Sequence, residues 1–329
     1  MSPPARPRET DPDPLQPVTD ALAAGAVHLA IPDGASLLLA VSGGPDSTAL
    51  LHGAARLAPG RGWRLTVAHL DHALRAGSAD EAAGVAAAAT LLGLSVQVQR
   101  TDVSALAAAE HRSLEDAGRQ ARYRFLEDAA ARLGPDTLIA TAHTADDAAE
   151  TVLLRLARGS GLRGVRGIPS RRGRIVRPLL AARRAVLRGA LEAARIEYVT
   201  DPSNVDPAHA RNRLRADLLP ALERLNPAAV EALLRFGHLA ADDDDLLDSL
   251  AGAELARRRD RDDGSIDWRN PPQRALGRRV LRLALGEPAP SAERIEALLG
   301  AAEGPRGGLS IELGGGRSAS VRERRIRME

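Results

Sequence analysis

The sequence predicts an α/β protein: a doubly wound parallel sheet followed by a smaller, mainly helical domain. Short apolar runs alternate with helical segments from about residue 35 onward, which implies parallel βαβ units. The first run ends in a Gly-rich turn that opens a helix. After Pro178 the chain changes character, and from Arg213 the segments are mainly helical.

Each element follows from its own residues. Residues 1–17 are rich in Pro, Asp and Arg without an apolar run, so residues 1–20 read as a disordered tail rather than a signal peptide. Strands are predicted at 36–41, 64–69, 95–98 and 137–142, and helices at 46–57, 79–92, 113–132 and 145–158. Ser113 with Asp116 three residues later forms an approximate capping box. Residues 182–195 are helical and 197–199 form a short strand. Asn226-Pro227 and Asn270-Pro271-Pro272 punctuate the later helices, and 309–313 with its glycines reads as a late strand and turn. The domains are then 21–222 and 223–329. No stretch approaches the roughly 18 apolar residues of a membrane span, and the expected location is the cytoplasm, with no membrane partner.

Composition narrows the chemistry. There is no cysteine, and all 45 basic residues among the 329 are arginine. Disulfides, cysteine-ligated zinc, iron–sulfur clusters and persulfide carriers are excluded. So are Schiff-base lysines and a Walker A loop, which needs its lysine. The formal net charge is only +2. The sequence pI near 9.8 reflects arginines that do not titrate in that range. Any face for a polyanion must come from local clustering of arginine.

The sharpest motif is Ser42-Gly43-Gly44-Pro45-Asp46-Ser47, between the first strand and its helix. Two glycines allow close backbone approach, and a helix N-terminus offers free N–H groups to phosphate. His143 falls at the carboxyl edge of the fourth strand, where open α/β sheets bind ligands. Asp147 and Glu150, three apart, share a face of the next helix, and Asp46 lies in the loop. Such carboxylates suit Mg²⁺ beside phosphates, or they complement the helix dipole. The dipole role is favoured for Asp146. His72, just past the second strand, is either structural or over the nucleotide. Glu115, Arg119 and Arg122 are either surface ion pairs or substrate contacts. The Gly-rich arginine loop at 158–164, the run 171–174 and the set Arg211, Asn212 and Arg215 are either solvated or face RNA. Arg257–Arg259 and the arginines of 322–327 are weaker candidates, and Asp242–Asp245 reads as a helix start facing water.

Taken in order, five segments resemble the tRNA(Ile)-lysidine synthase family of PP-loop ATP pyrophosphatases. They are the loop at 42–47, His69-Leu70-Asp71-His72-Ala73-Leu74-Arg75, the Glu115–Tyr123 helix, Ala142–Thr151 with Arg158-Gly159-Ser160-Gly161, and Asp201-Pro202-Ser203-Asn204 with Arg211-Asn212 and Arg215. The resemblance is close over 35–220 and weaker to about 316. It implies ATP and Mg²⁺ as cofactors, and ATP at Ser42, Gly43, Gly44, Pro45, Asp46, Ser47 and His72. Asp46, Asp147 and Glu150 would surround the metal, with His143 as a further catalytic residue. Arg75, Glu115, Arg119, Arg122, Arg158, Arg211, Asn212 and Arg215 would meet substrate or tRNA. The implied partners are an isoleucine tRNA with a CAU anticodon and free lysine; a homodimer is compatible with it. The rivals are a tRNA thiolase, which the missing cysteine opposes, an RNA module that binds ATP without turnover, and an amidotransferase-like synthetase, which would need a glutaminase module. Ala73 stands where the family usually has Gly, Asp71 where Asn is common, and Gly118 where a helix usually has Ala. The chain also resembles a short form of the family.

Overall fold

The computed structural model describes residues 13–74, 77–200, 210–304, 308–314 and 316–328. The chain divides into two compact units, Met1–Gly237 and His238–Glu329. The division falls within one long helix, some fifteen residues beyond the expected boundary at 222.

The first unit is built on a six-stranded sheet. In chain order it runs α1 (Gln16–His28), β1 (Ser36–Ala40), α2 (Pro45–Arg61), β2 (Arg64–Asp71), α3 (Ser78–Leu91), β3 (Ser95–Arg100), α4 (Val103–Ala109) and α5 (Leu114–Leu133). Then come β4 (Leu138–Ala140), α6 (Ala145–Ala157), α7 (Leu162–Val165), β5 (Arg171–Arg172), β6 (Ile175–Val176) and α8 (Arg184–Ala193). Short helical pieces follow: α9 (Ala210–Arg213), a π-helical turn (Leu214–Leu218) and α10 (Leu219–Leu225). The sheet order is β3-β2-β1-β4-β6-β5, parallel throughout except at the β5–β6 edge.

Alternation along β1 shows why the sheet is covered on both faces. Leu37 and Leu39 pack into a core shared with α1, α2 and α8, including Leu22, Leu50, Leu187 and Leu191. Leu38, between them, packs on the other side against Ala121, Phe125, Leu126 and Ala129 of α5. Successive strand side chains point to opposite faces, so a fully apolar strand needs helices on both. The order reverses at β1, which has β2 on one side and β4 on the other. The loops after β1 and β4 therefore diverge over a crevice at the carboxyl edge, where such folds bind ligands.

Three of the following local findings differ from the sequence reading. The expected tail is helical from Gln16, with Val18, Leu22 and Ala26 buried one turn apart. Gly25 of α1 packs so tightly that a Cβ there would lie 1.8 Å from the Pro178 carbonyl oxygen. Helix α4, capped by Asp102, was not foreseen. Residues 197–199 form no strand; Val199 instead donates a single backbone hydrogen bond to Gly43 at 2.9 Å.

The departures at Ala73 and Gly118 are reciprocal. Ala73 has φ +53°, a conformation in which a Cβ is strained. It is held by its N–H donating to Asp71 Oδ1 at 2.8 Å. Gly118 lies within α5, and a Cβ there would make ordinary contacts of 3.5 Å with Val103 and 3.7 Å with His72. Ala73→Gly and Gly118→Ala are each expected to raise stability by about 0.5–1 kcal/mol. Denaturant midpoints of the single and double variants test this; a lower midpoint for Gly118→Ala would show that the contacts at His72 do not tolerate the methyl.

The second unit comprises the later part of α11 (Ala229–Arg258), then β7 (Ile266–Asp267), α12 (Arg274–Leu285), α13 (Ala292–Glu303), β8 (Leu309–Gly314), β9 (Arg317–Arg322) and β10 (Arg325–Met328). Its strands form an antiparallel sheet in the order β7-β10-β9-β8. Only the β8 strand was foreseen. Ile266, Trp268, Val280, Leu281, Leu298, Leu299, Val321 and Ile326 are fully or almost fully buried in its core. The acidic run 242–245 sits mid-helix, and it is not wholly solvated: Asp244 is buried against Arg279 at 2.6 Å. Arg257 and Arg258 pair with Glu254, and Arg258 lies 5.4 Å over Trp268. Arg325 pairs with Asp260 at 3.0 Å and Arg327 with Asp263. These arginines staple the unit together. No helix among the described residues is long and apolar enough to cross a membrane.

Candidate active site at the sheet switch point

The loop after β1 is shaped by its own hydroxyls and glycines. Gly43 has φ +88°, and a Cβ there would press on Val85 at 3.3 Å and Val199 at 3.4 Å. Ser47 donates to the Gly44 carbonyl at 2.9 Å and accepts the Ser42 N–H at 3.1 Å. The Ser42 and Ser47 hydroxyls lie 3.1 Å apart. Gly44 is the N-cap of α2 without a capping side chain, and Pro45 and Asp46 form its first turn. The free N–H groups at this helix start therefore face the crevice, in the arrangement that holds phosphate.

Across the crevice, Thr144 caps α6 in a capping box with Asp147. Thr144 donates its N–H and its hydroxyl to Asp147 Oδ2, both at 2.9 Å. Oδ1 of Asp147 is thereby turned to the site, where Arg184 Nη2 donates to it at 2.6 Å. The same guanidinium donates to Glu150 Oε1 at 3.1 Å and to Asp46 Oδ2 at 3.1 Å. Arg215 donates to both oxygens of Glu150, at 2.9 and 3.2 Å, and approaches Asp147 at 3.8 Å. The predicted trio Asp46, Asp147 and Glu150 is thus brought together, and Arg215 joins it.

Arg184 is the residue that sequence reasoning missed. Asp146 explains its placement: its Oδ2 accepts the Arg184 backbone N–H at 2.7 Å, and its Oδ1 faces Arg183 at 3.5 Å. Asp146 therefore anchors the start of α8, a more specific task than complementing its own helix dipole. Arg183 also binds Glu223 and Glu231. Burial works against the Arg184 charge, but the surrounding carboxylates outweigh it and raise its pKa above the ordinary arginine value. Burial pushes the Asp46 carboxyl up despite Arg184, and Asp46 Oδ1 is buried without a hydrogen-bond partner.

The two histidines sit on the other flank. His143 Nδ1 lies 3.0 Å from the Thr141 hydroxyl. Burial brings its pKa down to about 4, with Asp147 opposing and Arg177, Arg119 and Arg122 reinforcing. His72 Nε2 lies 3.2 Å from Arg122, and burial and that arginine bring it down to about 4 as well. Both rings are therefore neutral near pH 7. Because the unfolded chain binds these protons first, stability is expected to fall as pH drops from about 6.5 to about 4. Histidine Cε1–H titration by NMR checks this: an ionisation of His143 near 6.5 would contradict the geometry.

Of the remaining predicted residues, Arg122 joins the histidine flank through His72. Glu115, Arg119, Arg122, Arg158 and Arg211 are exposed. Arg158 caps the far end of α6, eleven residues from Asp147 and so about 16 Å along the helix. Arg155 pins the intervening loop by donating to the Gly164 carbonyl at 2.7 Å. Asn212 lies beside Arg211 on α9. Arg75 and the Asp201–Asn204 motif lie outside the described residues.

Comparisons with known proteins show the family. A family model described as PP-loop domain matches residues 21–222. A tRNA(Ile)-lysidine synthase of Salinispora tropica is 45% identical over 240 residues, covering 71% of each chain. One from Leifsonia xyli is 43% identical over 263 residues, covering 77% of this chain and 76% of that one. Among solved structures, a U34-tRNA thiolase from Methanococcus maripaludis with its [4Fe-4S] cluster aligns at TM-score 0.58 and 13% identity, over 69% of this chain and 80% of that one. That last likeness is one of fold.

Proposed function

Because the chain belongs to the tRNA(Ile)-lysidine synthase family, we propose that it joins free lysine to C2 of the wobble cytidine of an isoleucine tRNA with a CAU anticodon, using ATP. The modified base would pair with A in place of G, changing decoding from AUG to AUA. The observation that carries this reading is the meeting of Asp46, Asp147 and Glu150 across the switch point, beside a loop fit for pyrophosphate.

The chemistry falls into two transfers. The C2 oxygen of the cytidine attacks the α-phosphorus of ATP and pyrophosphate leaves, held by the Ser42–Ser47 loop and the start of α2. An amine of lysine then attacks C2 and AMP leaves with the former C2 oxygen. Adenylation turns a poor leaving oxygen into a good one. Lysine arrives protonated, and the carboxylates of Asp147 and Glu150 suit its charge. His143, neutral above about pH 4, would accept the proton the amine must lose. We assign His72 to the nucleotide and Glu115, Arg119, Arg122, Arg158, Arg211 and Asn212 to the substrate or RNA; the helical region after residue 222 is a further RNA-binding element.

Mg²⁺ fits the donor set. The orphaned Asp46 Oδ1 is a buried hard oxygen, and Asp147 Oδ1 faces the same space. Asp46 and Asp147 would hold the ion, whereas Glu150 already accepts from Arg184 and Arg215 with both oxygens. No group of three His, Asp or Glu among the described residues stands ready as a metal site, so phosphate oxygens must complete the shell. Bound there, Mg²⁺ would neutralise charge on the departing pyrophosphate. Thiolation is the poorer reading, since the 329 residues include no cysteine to carry sulfur or a cluster.

Incubation with ATP, Mg²⁺, labelled lysine and a cognate CAU-anticodon isoleucine tRNA should place label in the RNA, with AMP and pyrophosphate released in equal amounts. Absence of label with a competent tRNA sinks the proposal.

A further inference from the structure

A second charged cluster lies beside the acidic site, and no carboxylate among the described residues pairs with it. Tyr123 of α5 is flanked by Arg119, 5.1 Å from its ring centroid, and Arg172, 5.4 Å from it. Arg177, which follows β6, lies against the same tyrosine. Arg177 is only 4% exposed. Its Nη1 donates to the Pro169 carbonyl at 2.7 Å, while its Nε is buried without a partner. Arg122 adds a fourth guanidinium, whose one hydrogen-bond contact is His72. His72 directly follows β2, so its contact with Arg122 puts the cluster at the same carboxyl edge of the sheet. Elsewhere the arginines of this chain are commonly paired with Asp or Glu. Here four gather without one among the described residues, and an anion would balance their mutual repulsion.

Resting on the lysidine reading above, we propose that Arg119, Arg122 and Arg172, gathered around Tyr123 and backed by the buried Arg177, form a phosphodiester subsite that grips the RNA backbone next to the reacting nucleotide. Guanidinium forks match the geometry of a phosphate better than any other side chain. The pyrophosphate already has its cradle at the start of α2, formed by different elements on the other side of the crevice. Arg119 and Arg172 are exposed, open to a long chain rather than enclosed around a small anion. Tyr123 serves as a positioning residue: its ring spaces two guanidiniums and its hydroxyl meets the buried third.

The test is the salt dependence of tRNA binding by the full chain, measured by fluorescence anisotropy, with Arg119→Gln/Arg122→Gln as the variant. Both side chains are exposed, so folding should survive. We expect at least about a tenfold loss of tRNA affinity and a log–log salt slope shallower by about one, the signature of one lost phosphate contact. ATP affinity should be unchanged. Tyr123→Phe, which keeps the ring, should weaken tRNA binding less than the double variant. An unchanged slope overturns the subsite. Lost ATP affinity with intact tRNA binding overturns it too, and assigns the cluster to the nucleotide. This readout needs no catalysis: a chain that binds tRNA through the cluster yet incorporates no lysine would refute the lysidine reading and leave the subsite standing.

Discussion

Asp147→Asn is expected to lower single-turnover lysine incorporation by about 100-fold or more while leaving a folded protein. The carboxylate has two separable tasks. Oδ2 accepts from Thr144 and closes the capping box, and an amide oxygen can still do that. Oδ1 faces Arg184 at 2.6 Å and Arg215 at 3.8 Å. An amide NH₂ there would set donors against donors, and the negative charge that balances the two guanidiniums would be gone. The stability loss should be on the order of 1 kcal/mol, the scale of a weakened cap, readable in a denaturant midpoint. Glu150→Gln should behave similarly in activity, since both its oxygens bind Arg215. Full incorporation by either variant would remove the site from this crevice.

What could be read from the sequence was what is local. The loop at 42–47, His143, Asp147 and Glu150 each sit within a few residues of a strand end, and the strand–helix alternation places all those ends on one edge of the sheet. Their convergence then follows from topology. Arg184 was not legible for the opposite reason. It is one of many arginines in an amphipathic segment, and its partner Asp46 is 138 residues away. Only the fold makes it central. Asp146 was read for its charge at a helix start, yet its function is to fix the first N–H of α8. The small antiparallel sheet escaped because its inward positions, Ala319, Val321 and Ile326, are few and set among arginines and serines that hide the alternation. Helix α1 escaped because its first turn overlaps a Pro- and Asp-rich stretch, although its buried face Val18–Leu22–Ala26 has helical spacing.

Arg184→Ala should have the largest effect on the fold. One guanidinium, 14% exposed, is hydrogen-bonded to Asp46, Asp147 and Glu150. Its removal leaves three carboxylates facing one another with Arg215 as the nearest remaining counter-charge. Unpairing buried charges of this kind costs about 3–5 kcal/mol, and incorporation should fall by at least about 100-fold, because neither Asp147 nor Asp46 would keep its place. The pH dependence distinguishes this cause from a simple cavity. Burial already pushes the Asp46 carboxyl up against the pull of Arg184, and it rises further when that cation is lost. Asp46 is then least harmful when protonated, and the penalty grows as pH rises through its raised value. The variant should therefore lie closer to the parent at pH 5 than at pH 8, whereas a packing defect would cost the same at both. Mg²⁺ offers a second discriminator. If Asp46 and Asp147 can share an ion, Mg²⁺ should raise the melting temperature of Arg184→Ala more than that of the parent, in which the guanidinium already holds the position. Arg184→Lys should restore less than a full charge replacement would suggest, because an ammonium on a flexible stem cannot reproduce a planar fork that meets three carboxylates at once. A pH-independent penalty with no response to Mg²⁺ would show that Arg184 acts by packing, and would detach Asp46 and Asp147 from any role in holding the metal.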